Sequence, residues 1–543
     1  MVARFFRHPK VFTGTTEDGW ASAFSVDAGV ITWVGASKDV PAGADVVDLQ
    51  GALVLPGLID AHTHPTYIAW IVDAVPCTVP TVTSIPEMIE ALRGHPSYGK
   101  PDRGWITGWG YDESKLIERR SPTRHDLDRV SRSQPVYVLR SDAHSGICNT
   151  RALEIAGIRR DTPDPEGAAF GRDPDGTPNG VLMEHAANQA VLQAKASPGF
   201  EADSEALLRT SAHLAERGIV AVADMFCVPG RYTQLDLYRD AAACGFGQVA
   251  RVFYEFQALK HLSFDAISAT DRAGRTCVGG IKLFLDGSIS NQTAWMRDPY
   301  RGSTDNRGMR TATRQDLLDA LELARSHCIQ LAVHAMGDAA IVEILDVLGN
   351  EEPWLDGFPS VRVEHASVLD VDLIERLRSA RMRFGVVTNI DFFFAEYDSY
   401  SANLTDDQFA RTYMVKELYE RVEPLALSSD SPATTWHDPD DPFMSIQAAV
   451  TRSAYNGADI VPGQAISVGQ ALLLYTARAR TVTDFGDVGR IVPGAEASFI
   501  TLDQDLFRID PTRIIDTRVI GTWMRGEKVF ERPGDHTSDV HRA

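Results

Sequence analysis

Short apolar runs alternate with stretches of helical periodicity through the middle of the chain. The runs cover residues 53–59, 218–224, 249–255, 280–285, 330–334, 360–365, 383–388 and 424–428. Between them, residues 316–324, 338–348 and 370–377 place apolar side chains at helical spacing, and Asp338 stands where it would cap the start of its helix. Strands alternating with helices imply βα units and a parallel sheet. Eight such strands predict a (β/α)8 TIM barrel.

The spacing is uneven in one place. The first run leads to His62 and the second to Asp224, about 160 residues later. A βαβ unit needs on the order of 30 residues or more, so roughly 120 are surplus. This stretch has a strand-like segment at 135–139 and a turn-rich one at 161–167, and βα loops belong at the barrel mouth. Both ends of the chain are β-rich, with a strand at 27–35 and hairpins at 489–502 and 519–530. Each end alone has too few strands to bury a hydrophobic face, so the two are expected to pair. The predicted architecture is a composite β-sandwich from residues 1–55 and 481–543, a barrel from 56–67 and 201–480, and an inserted subdomain over 68–200. The polar tail after Pro533 is expected to be loose.

Composition narrows the partners. The net charge of -21 disfavours nucleic acid and anionic membrane, which need a basic face, and favours solubility. A small molecule is the expected partner, and a homodimer stays open. No run of 18 apolar residues suggests a membrane span, and the first nine residues lack the apolar core of a secretory signal. The six cysteines are isolated, with no Cys-x-x-Cys pair, as in a reduced cytoplasmic protein.

Candidate chemistry sits where the apolar runs end. His62 and His64 stand at i, i+2, which a strand points to one side. Lys282, His334, His365 and Asp430 each lie in or just past a later run. Taken singly, each histidine is ordinary, Lys282 is a snorkelling lysine, and Asp430 is a helix N-cap before Ser431-Pro432. Taken in order, they stand at the carboxyl ends of successive strands, where barrel active sites form, and read as one metal site. Imidazole nitrogens and carboxylate oxygens suit zinc. An ammonium has no lone pair to give, so Lys282 can ligate only as a carbamate.

The segment Pro56-Gly-Leu-Ile-Asp-Ala-His-Thr-His64 is joined by Lys282-Leu-Phe-Leu-Asp-Gly-Ser288, His334-Ala-Met-Gly-Asp338, Glu364-His-Ala-Ser367 and Ser429-Asp-Ser-Pro432. With Ser141-Asp-Ala-His-Ser145 and Val492-Pro-Gly-Ala-Glu-Ala-Ser498, the chain resembles the amidohydrolase superfamily. More narrowly it resembles amidohydrolase family 3, a group that includes N-substituted formamide deformylases. The resemblance implies that His62 and His64 hold a first metal and that His334 and His365 hold a second. It places Lys282 as a carboxylated bridge and Asp430 facing the first metal. One divalent ion or two, zinc by donor type, remains open; two require the carbamate. Asp430 is the candidate general base, then general acid. The implied reaction is hydrolysis of an amide C–N bond, in an N-substituted formamide or another N-acyl amine. A cyclic-amide hydrolase or deaminase is the alternative. A non-enzymatic binding protein is a third reading, disfavoured because all six positions are filled.

His144 is a candidate substrate residue that polarises the carbonyl, or a structural histidine; Glu184 leans structural. Asp286 shares strand parity with Lys282, so it either touches the site or serves the turn before Gly287. Tyr67, Trp70, Trp105, Trp109 and Tyr111, with Phe392, Phe393 and Phe394, offer an apolar wall for an amine substituent. For Trp105, Trp109 and Tyr111 the alternative is packing within the insertion.

Overall fold

The computed structural model describes residues 3–533, apart from residues 72, 101–103, 142–144, 166–167, 184, 196–198, 231 and 261–268. Eight parallel strands follow one another around a barrel: Leu58–Thr63, Ile219–Cys227, Val249–Glu255, Thr276–Phe284, Gln330–Ala335, Val361–His365, Phe384–Thr388 and Leu425–Leu427. They are buried on both faces, which is why their sequences run apolar and do not alternate. The eighth strand meets the first largely through the loop that follows it. The Asp430 amide donates to the His62 carbonyl at 2.8 Å, and the His64 amide to the Ser431 carbonyl at 2.9 Å. Ser428 Oγ adds a 2.7 Å bond to the same His62 carbonyl.

Two expectations need correction. The run over 53–59 is not one strand. Leu53–Pro56 pairs antiparallel with Phe499–Leu502, whereas Leu58–Thr63 pairs parallel with Ile219–Cys227. Gly57 is the crossing point: a Cβ there would lie 2.5 Å from Val220 Cγ1, so only glycine lets the two sheets approach. Asp338 does not cap the helix Asp338–Leu348, whose N-cap is Gly337. Its buried carboxylate instead accepts from the Arg297 amide and Nε and from Arg411 Nη1, at 2.8, 2.9 and 3.2 Å. Charge pairing between loops outcompetes the local cap.

Both chain ends feed one further sheet. Arg4–Phe12, Trp20–Asp27, Val30–Gly35, Asp45–Asp48 and Leu53–Pro56 join Phe499–Leu502, Val519–Met524 and Glu527–Glu531. Phe24 and Phe499 stand three strands apart along it, roughly 14 Å in a flat sheet at normal strand spacing. Their ring centroids are 4.9 Å apart, so the sheet curls over a core of Phe6, Phe24, Phe499 and Trp523. A two-layered body thus arises from one hydrogen-bonded sheet, with Asp45–Asp48 branching from Arg4–Phe12.

Between the first two barrel strands, residues 75–183 form a six-stranded sheet, with Val136–Arg140 and Gly146–Cys148 at its centre. It buries its own core of Ile106, Val136, Val138 and Ile147. Lys115 Nζ fastens it to the barrel mouth, donating at 2.7 Å to Asp398, which also accepts from Tyr455 at 2.6 Å.

Candidate metal centre

The strands bring all six predicted residues to one end of the barrel. His62 lies in the first strand and His64 just beyond it; Lys282 is in the fourth, His334 in the fifth and His365 at the end of the sixth. Asp430 sits three residues past the eighth. Its Oδ1 is 2.8 Å from His64 Nε2 and 3.2 Å from His62 Nε2, while Lys282 Nζ is 3.2 Å from His62 Nε2. Ligand atoms of His62, His365 and Asp430 all lie within 4.8 Å of one another. The His334 ring meets that of His365 edge-on, with centroids 4.4 Å apart.

Each imidazole is oriented from behind. His62 Nδ1 meets Glu364 Oε2 at 2.5 Å, which leaves Nε2 facing the cluster. His365 Nδ1 is bonded to Asn389 Oδ1 at 3.0 Å and His334 Nε2 to the Gly287 carbonyl at 3.1 Å. Because those partners accept, the bonded nitrogen carries the proton and the other keeps its lone pair. For His334 that other atom, Nδ1, is buried without a hydrogen-bond partner, as is His64 Nδ1. A buried imidazole nitrogen that no protein donor satisfies is what a metal ligand looks like before its ion is added. The donor set fits a divalent metal.

Burial and charge set the protonation states. Burial, then the nearby Lys282, depresses His334 to about 3, and burial with His334 holds His365 well below the ordinary range. Both rings are therefore neutral and able to ligate. Burial lowers the Lys282 ammonium to about 8 against the pull of Glu364 and Asp430. Burial pushes the Glu364 carboxyl up, but Arg362 and His62 outweigh it and hold it at about 2. For Asp430, burial is likewise outweighed, here by His62 and His64, and the carboxyl stays ionised.

Sequence reasoning missed Arg362 and Glu364 as functional partners. Both are fully buried, with two guanidinium–carboxylate bonds at 2.8 and 2.9 Å and a third from Arg362 Nη2 to the Ala61 carbonyl at 2.7 Å. The signal was present: two charges at i, i+2 on one face of a buried strand demand a partner. Glu364 and His365 are consecutive, so a regular strand would aim them apart. His365 has φ +70° and Asp430 φ +52°, a left-handed backbone uncommon outside glycine that turns these side chains toward the centre.

The remaining expectations resolve as follows. Asp286 accepts from the amides of Met336, Gly337 and Trp295 at 3.0, 2.8 and 2.9 Å and lies 3.5 Å from His334 Nε2. It thus ties the loops after strands four and five and borders the centre. His144 and Glu184 lie outside the described residues, as does the side chain of Trp70. Trp109 and Tyr111 are buried and Trp105 packs against an insertion core, while Phe393 packs on Tyr400, Phe409 and Tyr413. Trp105, Tyr111 and Phe393 thus pack within their own bodies, while Trp109 lines a cavity with Ile68 and with Ser431, the residue after Asp430. The aromatic rings at the centre are Tyr67 beside His64, Phe226 against Tyr67 and His64, Phe284 beside His334, and Phe392 against His365. Phe226 and Phe284 follow from strand parity at strand ends, which composition alone does not flag.

The family model described as amidohydrolase family matches residues 45–530. An N-substituted formamide deformylase of Arthrobacter pascens is 26% identical over 542 residues, covering 96% of this chain and 97% of that protein. The protein LONG AFTER FAR-RED 3 of Arabidopsis thaliana is 25% identical over 537 residues, covering 96% and 90%. Among solved structures, an uncharacterized metal-dependent hydrolase from Pyrococcus horikoshii superposes with a TM-score of 0.75 at 24% identity, covering 94% of this chain and 99% of that one. The family match takes in every barrel strand and all six residues of the centre, so the chain belongs to the amidohydrolase family and is a hydrolytic enzyme.

Proposed function

We propose that this enzyme hydrolyses the C–N bond of a neutral secondary amide, an N-substituted formamide or a related N-acyl amine, with zinc as its metal. The observation that carries the reading is the ionised Asp430 carboxylate, 2.8 Å from His64 and 3.2 Å from His62, beneath a half-buried aromatic collar of Tyr67, Phe226 and Phe284. His62, His64, His334, His365 and Asp430 would hold the metal, and Lys282, once carboxylated, would bridge a second ion. A bound ion would supply an acidified water and a Lewis acid for the carbonyl. Asp430 takes the proton released as water adds to the carbonyl carbon and returns it to the amine nitrogen as the C–N bond breaks. The amide and one water thus give a carboxylic acid and an amine. The aromatic collar holds the amine substituent and excludes bulk water. The relative from Arthrobacter pascens supports the formamide assignment. Lys282, buried in the fourth strand, favours amide hydrolysis over deamination. Free, unpaired cysteines at all six positions suit a cytoplasmic location.

The deciding experiment supplies zinc and measures formate release from N-benzylformamide beside N-acetyl and cyclic analogues. Turnover of the linear amides is expected. Turnover of cyclic amides alone, or ammonia release from an aminated ring, would overturn the assignment.

A further inference from the structure

Behind Asp430 lies a second carboxyl that the proposed reaction does not use. Asp391 is in the first turn of the helix Ile390–Ala395, after the seventh strand, and is fully buried. The next residue, Phe392, packs on His365 with centroids 6.0 Å apart. The hydrogen-bond partner of the Asp391 carboxyl across the loop is Thr434 Oγ1, 3.3 Å from Oδ2, and its Oδ1 is buried without one. Thr434 belongs to the loop that carries Asp430.

Counting protons decides the state of this group. The Thr434 hydroxyl has one proton and two acceptors, the Ser429 carbonyl at 3.0 Å and Asp391 at 3.3 Å. If the nearer acceptor takes it, an ionised Asp391 has no committed donor across the loop and one bare charged oxygen, a costly state in a buried site. A proton on Oδ2 removes the conflict. The acid then donates to Thr434 Oγ1, Thr434 donates to the Ser429 carbonyl, and Oδ1 is left as an uncharged carbonyl. The Asp391 backbone amide and Thr434 favour the ionised form, but the other groups that bear on it oppose it. Burial is the largest, and the carboxylates of Asp430 and Asp60 both oppose a further negative charge. Three phenols, Tyr400, Tyr413 and Tyr475, lie within electrostatic reach. Asp60 differs, since it accepts from Ser429 Oγ and the Ser429 amide at 2.6 and 3.2 Å.

We propose that Asp391 is held as a neutral carboxylic acid whose O–H fastens the Asp430 loop to the helix of Phe392. Asp391 is thus a positioning residue: it holds Asp430 in its left-handed backbone without adding charge beside the centre. Only its effect on metal binding rests on the function proposed above; the protonation state does not.

Infrared difference spectra of the metal-free protein at neutral pH test it. Asp391→Asn keeps the shape and supplies an N–H donor to Thr434. Subtracting its spectrum from wild type should reveal a carboxylic-acid C=O band that shifts on deuteration, and Thr434→Val should move that band to higher frequency. Zinc affinity, read by chelator competition, should stay within about twofold in Asp391→Asn and fall about tenfold in Asp391→Ala, as for loss of an outer-shell partner. A carboxylate band in place of the acid band, or no response to Thr434→Val, would overturn the proposal. So would equal loss of zinc affinity in the Asn and Ala variants. Failure to cleave formamides with these spectra intact would count against the proposed reaction alone.

Discussion

The two halves of the metal centre are held in different ways. On one side, His62 is backed by Glu364, which is itself clamped by Arg362, a chain of charges with 0–1% exposure. On the other, His334 and His365 lean on uncharged acceptors, the Gly287 carbonyl and the Asn389 side chain. A charged acceptor makes a stronger bond to imidazole N–H and a more basic ligand, but it cannot lose its partner cheaply. A neutral acceptor orients the ring at lower stakes. The barrel therefore builds one rigid, charge-locked ligand and two that are mostly packed in place.

The largest effect is expected at the reacting residues, which test whether the halves matter to chemistry at all. His62→Ala and Asp430→Ala should leave a folded protein, checked by circular dichroism, with kcat/KM lower by orders of magnitude. Without an ordered metal-activated water, a pKa drop of roughly 9 units is forfeited. Near-normal turnover with metal content intact in Asp430→Ala would remove its assigned role.

Next comes the charged half. Glu364→Ala strands Arg362 as an uncompensated buried charge and should cost about 3–5 kcal/mol of stability. Zinc affinity should fall about 10–100-fold with it, read by chelator competition and thermal melting. The neutral half should be more forgiving. Asn389→Ala removes two neutral hydrogen bonds, to His365 and to the Ser428 carbonyl, and should cost about 1–3 kcal/mol. If Asn389→Ala proves as damaging as Glu364→Ala, the contrast between the halves fails.

Acid should take the halves apart in sequence, the smallest effect and the finest test. His334 is depressed from 6.5 to about 3, so the unfolded chain binds more protons than the folded one throughout that window. Stability of the metal-free protein is therefore present above pH 6.5 and lost progressively as pH falls below it. Glu364 is lowered from 4.5 to about 2, so its contribution is present above 4.5 and lost only below that. Melting temperature against pH should decline in two stages, and Glu364→Gln should diminish the lower stage, to which Asp430 and Asp316 also contribute, while sparing the upper. A single stage below pH 4.5 would mean that the histidines are not held neutral by burial.

Much of this was legible in the chain. Seven of the eight predicted runs became barrel strands within a few residues of their expected bounds, because strands buried on both faces must be continuously apolar. The run over 53–59 failed because apolarity does not reveal which of two sheets a segment joins; Gly57 marks the crossing only once Val220 is known to lie against it. Trp105 and Tyr111 pack the insertion, the alternative weighed for them, for a related reason. Large aromatics fill cores more readily than they line clefts, and the insertion had a core of its own to fill.

The sequence by itself determined the barrel and the six polar positions at its strand ends, because periodicity and residue type are local properties. What only the tertiary structure decided is how those six are held. The His62–Glu364, His365–Asn389 and Asp391–Thr434 contacts join residues tens to hundreds of positions apart. The left-handed turns at His365 and Asp430 persist because the surrounding hydrogen bonds over-determine them. Orientation and protonation are properties of a buried neighbourhood, and the neighbourhood exists only once the barrel has closed.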